Sequence, residues 1–129
     1  MSFSGDILTL EVPCEVHAPR MVRAALAEVY DGGWSYDDGL LVASELVTNA
    51  VTHSGCGASH TLRVEVGRHQ GNLVISVHDP GLSGGTAEPV TREPLGVGGR
   101  GLRIVERLSV RWGAERPDGY RVWAELPAR

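Results

Sequence analysis

The feature that most constrains the fold is a change of hydrophobic period partway along the chain. From Ser35 to about His53 apolar residues recur at helical spacing, and Leu41, Val42, Leu46, Val47, Ala50 and Val51 cover most of one helix. From Leu62 the period drops to two. Leu62, Val64 and Val66 alternate with Arg63, Glu65 and Gly67, Gln70-Gly71-Asn72 reads as a turn, and the apolar run Leu73 to Val77 follows, ending at His78 and Asp79. A pattern with the helical period does not suit a strand, so this stretch calls for a long helix followed by a β-hairpin with a buried face.

The remaining segments fit around that unit. Asp6 to Val12 reads as a strand through Ile7, Leu8, Leu10 and Val12, closed by Pro13. Pro19 to Tyr30 reads as a helix through Met21, Val22, Ala25, Leu26 and Val29, stopped by Asp31-Gly32-Gly33. Ser35 suits an N-cap, and Asp37 and Asp38 suit the positive first turn of the next helix. Ser54-Gly55-Cys56-Gly57 ends that helix. From Gly81 to Gly99 glycine, proline, serine and threonine dominate and periodicity vanishes, as in a long functional loop. A third helix begins near Arg100 with Leu102, Ile104, Val105 and Leu108, and Val110–Gly113 with Tyr120–Leu126 form a closing hairpin around Pro117-Asp118-Gly119. The order predicts an α/β two-layer sandwich, a mixed and mostly antiparallel sheet covered on one face by three helices, in a single domain spanning 1–129. With only 5% aromatic residues, aliphatic side chains must fill the core, and Trp34, Trp112 and Trp123 are expected as core or interface anchors.

Composition narrows the partners. A formal net charge of -4 argues against general nucleic-acid or anionic-membrane binding, although Arg92, Arg100, Arg103 and Arg107 form a local basic excess. Cys14 and Cys56 lie in no CxxC pattern, so a disulfide framework or zinc site is not expected, and both are read as reduced thiols of a cytoplasmic protein. No apolar run approaches a membrane span, and the alternating amino-terminal segment reads as a strand and not a signal peptide.

Three motifs carry chemistry. In SELVTNAVTH, Glu45 and Asn49 with His53, or alternatively Thr52, make one polar stripe on an otherwise apolar helix. Taken alone, this is equally a solvated stripe. In VHDPGL, Asp79 at a strand end is often only a turn residue, but its carboxylate could accept a hydrogen bond from an exocyclic amino group, with Gly81 letting a flat base approach. In GVGGRGL, Gly96, Gly98, Gly99 and Gly101 lead into a helix whose first amides and dipole favour an anion such as phosphate, and Arg100 adds a fixed charge. The bland alternative there is a flexible linker. The spacing is neither a Walker loop nor a good dinucleotide fingerprint.

In this order and spacing, ASELVTNAVTHS, VHDPG and GGRGLRIVERL resemble the N-box, DxG and glycine-rich motifs of the GHKL ATPase superfamily, and within it the small bacterial anti-sigma factors that are serine protein kinases. The resemblance covers nearly the whole chain, including the closing hairpin ending VWAEL. It implies ATP and Mg²⁺ as cofactors. Glu45 matches the general base, Asn49 the Mg²⁺-holding asparagine, and His53 the end of that box on the phosphate side. Asp79 matches the reader of the adenine amino group, with Gly81 beside it. Gly96, Gly98, Gly99, Arg100, Gly101 and Leu102 match the phosphate-side turn, and residues 82–95 the ATP lid. Relatives often carry a small hydroxyl residue in the closing turn, whereas this chain has Gly119-Tyr120-Arg121 and loses a hydroxyl near the base. The implied activity is that of a serine/threonine protein kinase phosphorylating an anti-sigma antagonist. The implied partners are that antagonist, a sigma factor and a second copy of the chain. The main alternative is a catalytically silent, ATP-dependent partner-switch module. A metal site from His60, His69 and His78 is weaker, because a spacing of nine suggests no single face.

Overall fold

A computed structural model describes residues 5–80, 100–115 and 119–128. The elements follow the order β1 (Gly5–Pro13), α1 (Ala18–Val29), α2 (Tyr36–His53), β2 (Thr61–His69), β3 (Asn72–Asp79), α3 (Arg100–Leu108), β4 (Arg111–Glu115) and β5 (Tyr120–Leu126). The strands form one sheet in the order β1-β2-β3-β5-β4, and every described pairing is antiparallel, where the sequence left room for a mixed sheet. The last two strands exchange places relative to chain order. The largely buried strand Tyr120–Leu126 lies inside, paired on both sides, and the short Arg111–Glu115 takes the edge. A short strand that opens on a charged residue is suited to an edge, where its outer backbone groups meet water.

Side chains alternate across the sheet. Val12, Leu62, Val64, Val66, Leu73, Ile75, Val77, Val122, Ala124 and Leu126 join one buried cluster with Val22 and Leu26 of α1, Val42, Leu46 and Val47 of α2, and Leu102 and Val105 of α3. The helices therefore cover one face: α1 packs on β1 and α2, and α2 packs on β3, β5 and α3. The opposite face mixes buried Val74 and Ser76 with charged residues. Arg63, His78, Arg121 and Glu115 are register partners in one row, with Arg121 paired to Glu115. Behind them, buried Glu125 is held by the Asn72 amide at 2.8 Å and the Arg111 guanidinium at 2.6 Å.

α2 opens at Ser35, as the sequence indicates, but that side chain makes no capping bond, and Gly39 N–H closes the first turn on the Ser35 carbonyl at 2.8 Å. Gly39 is set by packing. A Cβ there would lie 2.4 Å from Cζ3 of Trp34, whose side chain is buried at 1% exposure. Of the three tryptophans Trp34 is fully buried in the core and Trp112 packs partly buried against it, and the Tyr30 ring lies edge-on to Trp34 at a centroid distance of 4.9 Å. Alanine is the better helix former by about 1 kcal/mol, yet overpacking a rigid indole loses about 1–3 kcal/mol. Gly39→Ala is therefore expected to lower the midpoint of urea unfolding, and a raised midpoint would show that Trp34 has room to move.

One expectation is overturned. Cys14 and Cys56 are joined by a disulfide, with Cα atoms 6.1 Å apart, and are not reduced thiols. The pairing spans 42 residues, so local spacing could not reveal it. Antiparallel pairing of β1 with β2 sets Pro13 opposite Thr61, Cys14 N–H donates to the His60 carbonyl at 3.0 Å, and the chain leaving α2 carries Cys56 to the same corner.

Candidate functional site

The site helix is α2. Its buried residues Val42, Ala43, Leu46, Val47 and Ala50 fix its orientation over the sheet, and Glu45 and Asn49 are half-buried at the border of that face. His53, one turn further on, is exposed. Leu41, which the sequence pattern assigned to the apolar surface, is exposed at 39%, so the packed face is narrower than periodicity suggested.

Asp79 is the last residue of β3 and is buried, on the helix-covered side shared by Leu73, Ile75 and Val77. Its register partner on β5 is Tyr120. The strand end is shaped by Gly119, which sequence reasoning treated only as part of a turn. Its φ is +105°, and a Cβ there would lie 2.4 Å from the Asp79 carbonyl oxygen. Only glycine combines that backbone conformation with so close an approach. The Asp118-Gly119 pair was a visible turn signal, but what abuts the glycine was not visible.

On the other face of β3, next to Asp79, stands His78. Arg63 Nη2 lies 2.9 Å from His78 Nδ1, and because guanidinium only donates, Nδ1 accepts and the ring carries its proton on Nε2. Burial, then the Arg63 and Arg121 charges, hold the imidazole pKa below its ordinary value. A lowered histidine pKa means that the unfolded chain takes up a proton first as pH falls. Stability contributed by this group is thus present above about 6.5 and lost on acidification toward the lowered folded pKa.

α3 brings the third motif. Arg100 and Gly101 form the start of its first turn, and Leu102 is buried in the core at 4% exposure. Gly81, Gly96, Gly98, Gly99 and the lid stretch 82–95 lie outside the described residues. Since α2 packs on both β3 and α3, the elements bearing the three motifs are neighbours around one helix. Among the described residues no cluster of three or more His, Cys, Asp or Glu could hold a metal ion unaided.

A match to the histidine kinase-like ATPase domain family spans residues 15–125. No curated protein matches the chain. Among solved structures, the crystal structure of the RsbU and RsbW domains of Rv1364c from Mycobacterium tuberculosis superposes with a TM-score of 0.61 at 22% sequence identity, over 94% of this chain and 32% of that one. At that identity the likeness is one of fold, and the chain spans about a third of the length of that protein. The family match takes in α2 with its Glu45–Asn49 stripe, β3 with Asp79, α3 and the closing hairpin, and the chain belongs to the histidine kinase-like ATPase domain family.

Proposed function

We propose that this domain binds Mg-ATP and transfers the γ-phosphoryl group to a serine or threonine hydroxyl of a partner protein, acting as an anti-sigma factor in a partner switch. The observation that carries the reading is the half-buried Glu45–Asn49 pair, one turn apart, on a helix packed against both the strand ending at buried Asp79 and the helix opened by Arg100. The family match supports the nucleotide. The anti-sigma setting rests on the resemblance of the three motifs, which implies an antagonist protein, a sigma factor and a second copy of the chain as partners, and the fold shared with a chain that carries an RsbW domain is compatible with it.

Each residue then has a task. Asp79 accepts a hydrogen bond from the adenine amino group, and its burial strengthens that bond by excluding water. Gly81 is assigned to the base side by the resemblance of its motif. By the resemblance of their motif, Gly96, Gly98, Gly99, Gly101 and Arg100 would supply the phosphate-binding donors. His53 lines the phosphate end of α2, and Leu102 anchors the phosphate turn from the core. Glu45 would accept the proton of the serine or threonine hydroxyl that attacks the γ-phosphoryl group of ATP, with ADP as the leaving group. The donor set fits Mg²⁺, an ion that keeps several waters and draws other ligands from substrate phosphates, so that Asn49 can serve as a single protein ligand. Bound there, Mg²⁺ would offset charge on the phosphates.

Asp79→Asn tests the base-reading role. A hydrogen bond to a charged acceptor contributes about 1.5–3 kcal/mol, so Mg-ATP affinity measured by calorimetry should fall roughly ten- to a hundredfold. Unchanged affinity would remove Asp79 from the adenine site. Incubation with labelled ATP and candidate antagonist proteins tests the transfer itself. Labelled serine or threonine supports the kinase, and tight ATP binding without labelling of any candidate would instead favour a silent, ATP-dependent switch.

A further inference from the structure

We propose that Cys14 and Cys56 form a reversible dithiol–disulfide site clasping the C-terminal end of α2, and that its redox state tunes nucleotide affinity. The second half of this statement rests on the nucleotide reading above. The bond ties the corner where β1 gives way to α1 to the segment leaving α2, and the loop it closes contains both α1 and α2. Cys56 lies two residues past Ser54, the C-cap of α2, whose N–H closes the last turn on the Ala50 carbonyl at 3.1 Å. Asn49 and His53 occupy the two final turns of that helix. The clasp thus sits at the end of the element that carries the polar stripe.

The surroundings suit sulfur chemistry. Cys14 is buried at 3% exposure, whereas Cys56 is partly exposed and offers the entry point. Ser54 is itself buried at 5%, and its hydroxyl donates to Cys56 Sγ at 2.7 Å while accepting from Cys56 N–H at 3.1 Å. A hydrogen bond to sulfur favours the thiolate, which is the form that attacks and departs in exchange. With oxidised glutathione as oxidant, the Cys56 thiolate attacks one glutathione sulfur and expels the other as thiolate. The Cys14 thiolate then attacks Cys56 Sγ in the mixed disulfide, forming the Cys14–Cys56 bond and releasing the second glutathione. Two protein thiols and one disulfide become one protein disulfide and two glutathione thiols, and an excess of glutathione reverses the sequence.

Reduction removes a constraint on the segment leaving α2 and leaves Ser54–His60 tied by weaker contacts. If only a fraction of molecules then keeps the last turn in place, apparent affinity falls by that fraction, about three- to tenfold for an occupancy between a third and a tenth. The test uses the full chain equilibrated in glutathione buffers of graded ratio and quenched with a thiol-alkylating reagent. Intact mass is expected to show a single transition between no modified cysteine and two. Two modified cysteines at every ratio, or glutathione adducts alone, would overturn the site. Mg-ADP is then titrated by calorimetry into the oxidised and reduced chain, with weaker binding by the stated factor expected on reduction. A Cys14→Ser/Cys56→Ser variant should bind like the reduced form and ignore the buffer. Equal affinities in both states would overturn the coupling while leaving the nucleotide reading intact. Binding by neither state would count against the nucleotide reading, and amide exchange over residues 50–60 would still judge the clasp. Faster exchange on reduction supports it, and identical exchange overturns it.

Discussion

Glu45→Ala is expected to slow phosphoryl transfer to a serine-bearing partner about 10²–10⁴-fold, the usual contribution of a placed general base, while Mg-ATP affinity changes little. The separation follows from position. Glu45 is half-buried at the border of the α2 face and outside the hydrophobic cluster, so its loss opens no cavity in the core. Alanine is the best helix former, so α2 should persist and keep Asn49 in place. Single-turnover transfer from labelled ATP, paired with calorimetric titration of Mg-ATP, reads the two quantities independently. Glu45→Gln serves as the isosteric control, since it keeps the shape and removes the proton acceptor. Transfer at the wild-type rate by both variants would end the assignment of Glu45 as base.

The second large effect is expected at Gly119. Gly119→Val places a β-branched side chain at φ +105° with its Cβ 2.4 Å from the Asp79 carbonyl oxygen. The backbone strain alone amounts to about 1–3 kcal/mol, and relief of the clash requires the ends of β3 and β5 to part where Asp79 and Tyr120 are register partners. Both a lower unfolding midpoint and a loss of Mg-ATP affinity are expected. Gly119→Ala meets the same Cβ clash but has no branch, so it should be the milder of the two. A valine variant that is destabilised yet binds Mg-ATP normally would show that the strand end and Asp79 move together without disturbing the site. A variant unchanged in both respects would mean that the Gly119 approach to Asp79 is readily relaxed.

Those parts of the candidate site that lie within one element are legible in the sequence. Glu45 and Asn49 are legible because helical geometry converts a spacing of four into one face, and α2 runs from Tyr36 to His53 much as periodicity indicated. Asp79 is legible as a strand end because the apolar run stops there, and β3 does end there. Leu41 escaped correct placement because a helix with apolar residues on most of its surface does not announce which of them meets a neighbour. His78 drew attention only as one of three evenly spaced histidines. Its actual partners, Arg63 and Arg121, come from the adjacent strands and depend on register.

What the chain determined by itself was therefore local: the order of strands and helices, the two-layer architecture that this order implies, and the polar stripe on α2. These follow from side-chain period and turn chemistry, which act over a few residues. What only the tertiary structure decided was non-local. It set β5 inside and β4 at the edge, laid Gly119 against the Asp79 carbonyl, fitted Gly39 under Trp34, and joined Cys14 to Cys56 where the sequence suggested two free thiols. Each of these is a contact between segments whose separation along the chain carries no information about distance, so packing and strand register had to settle them.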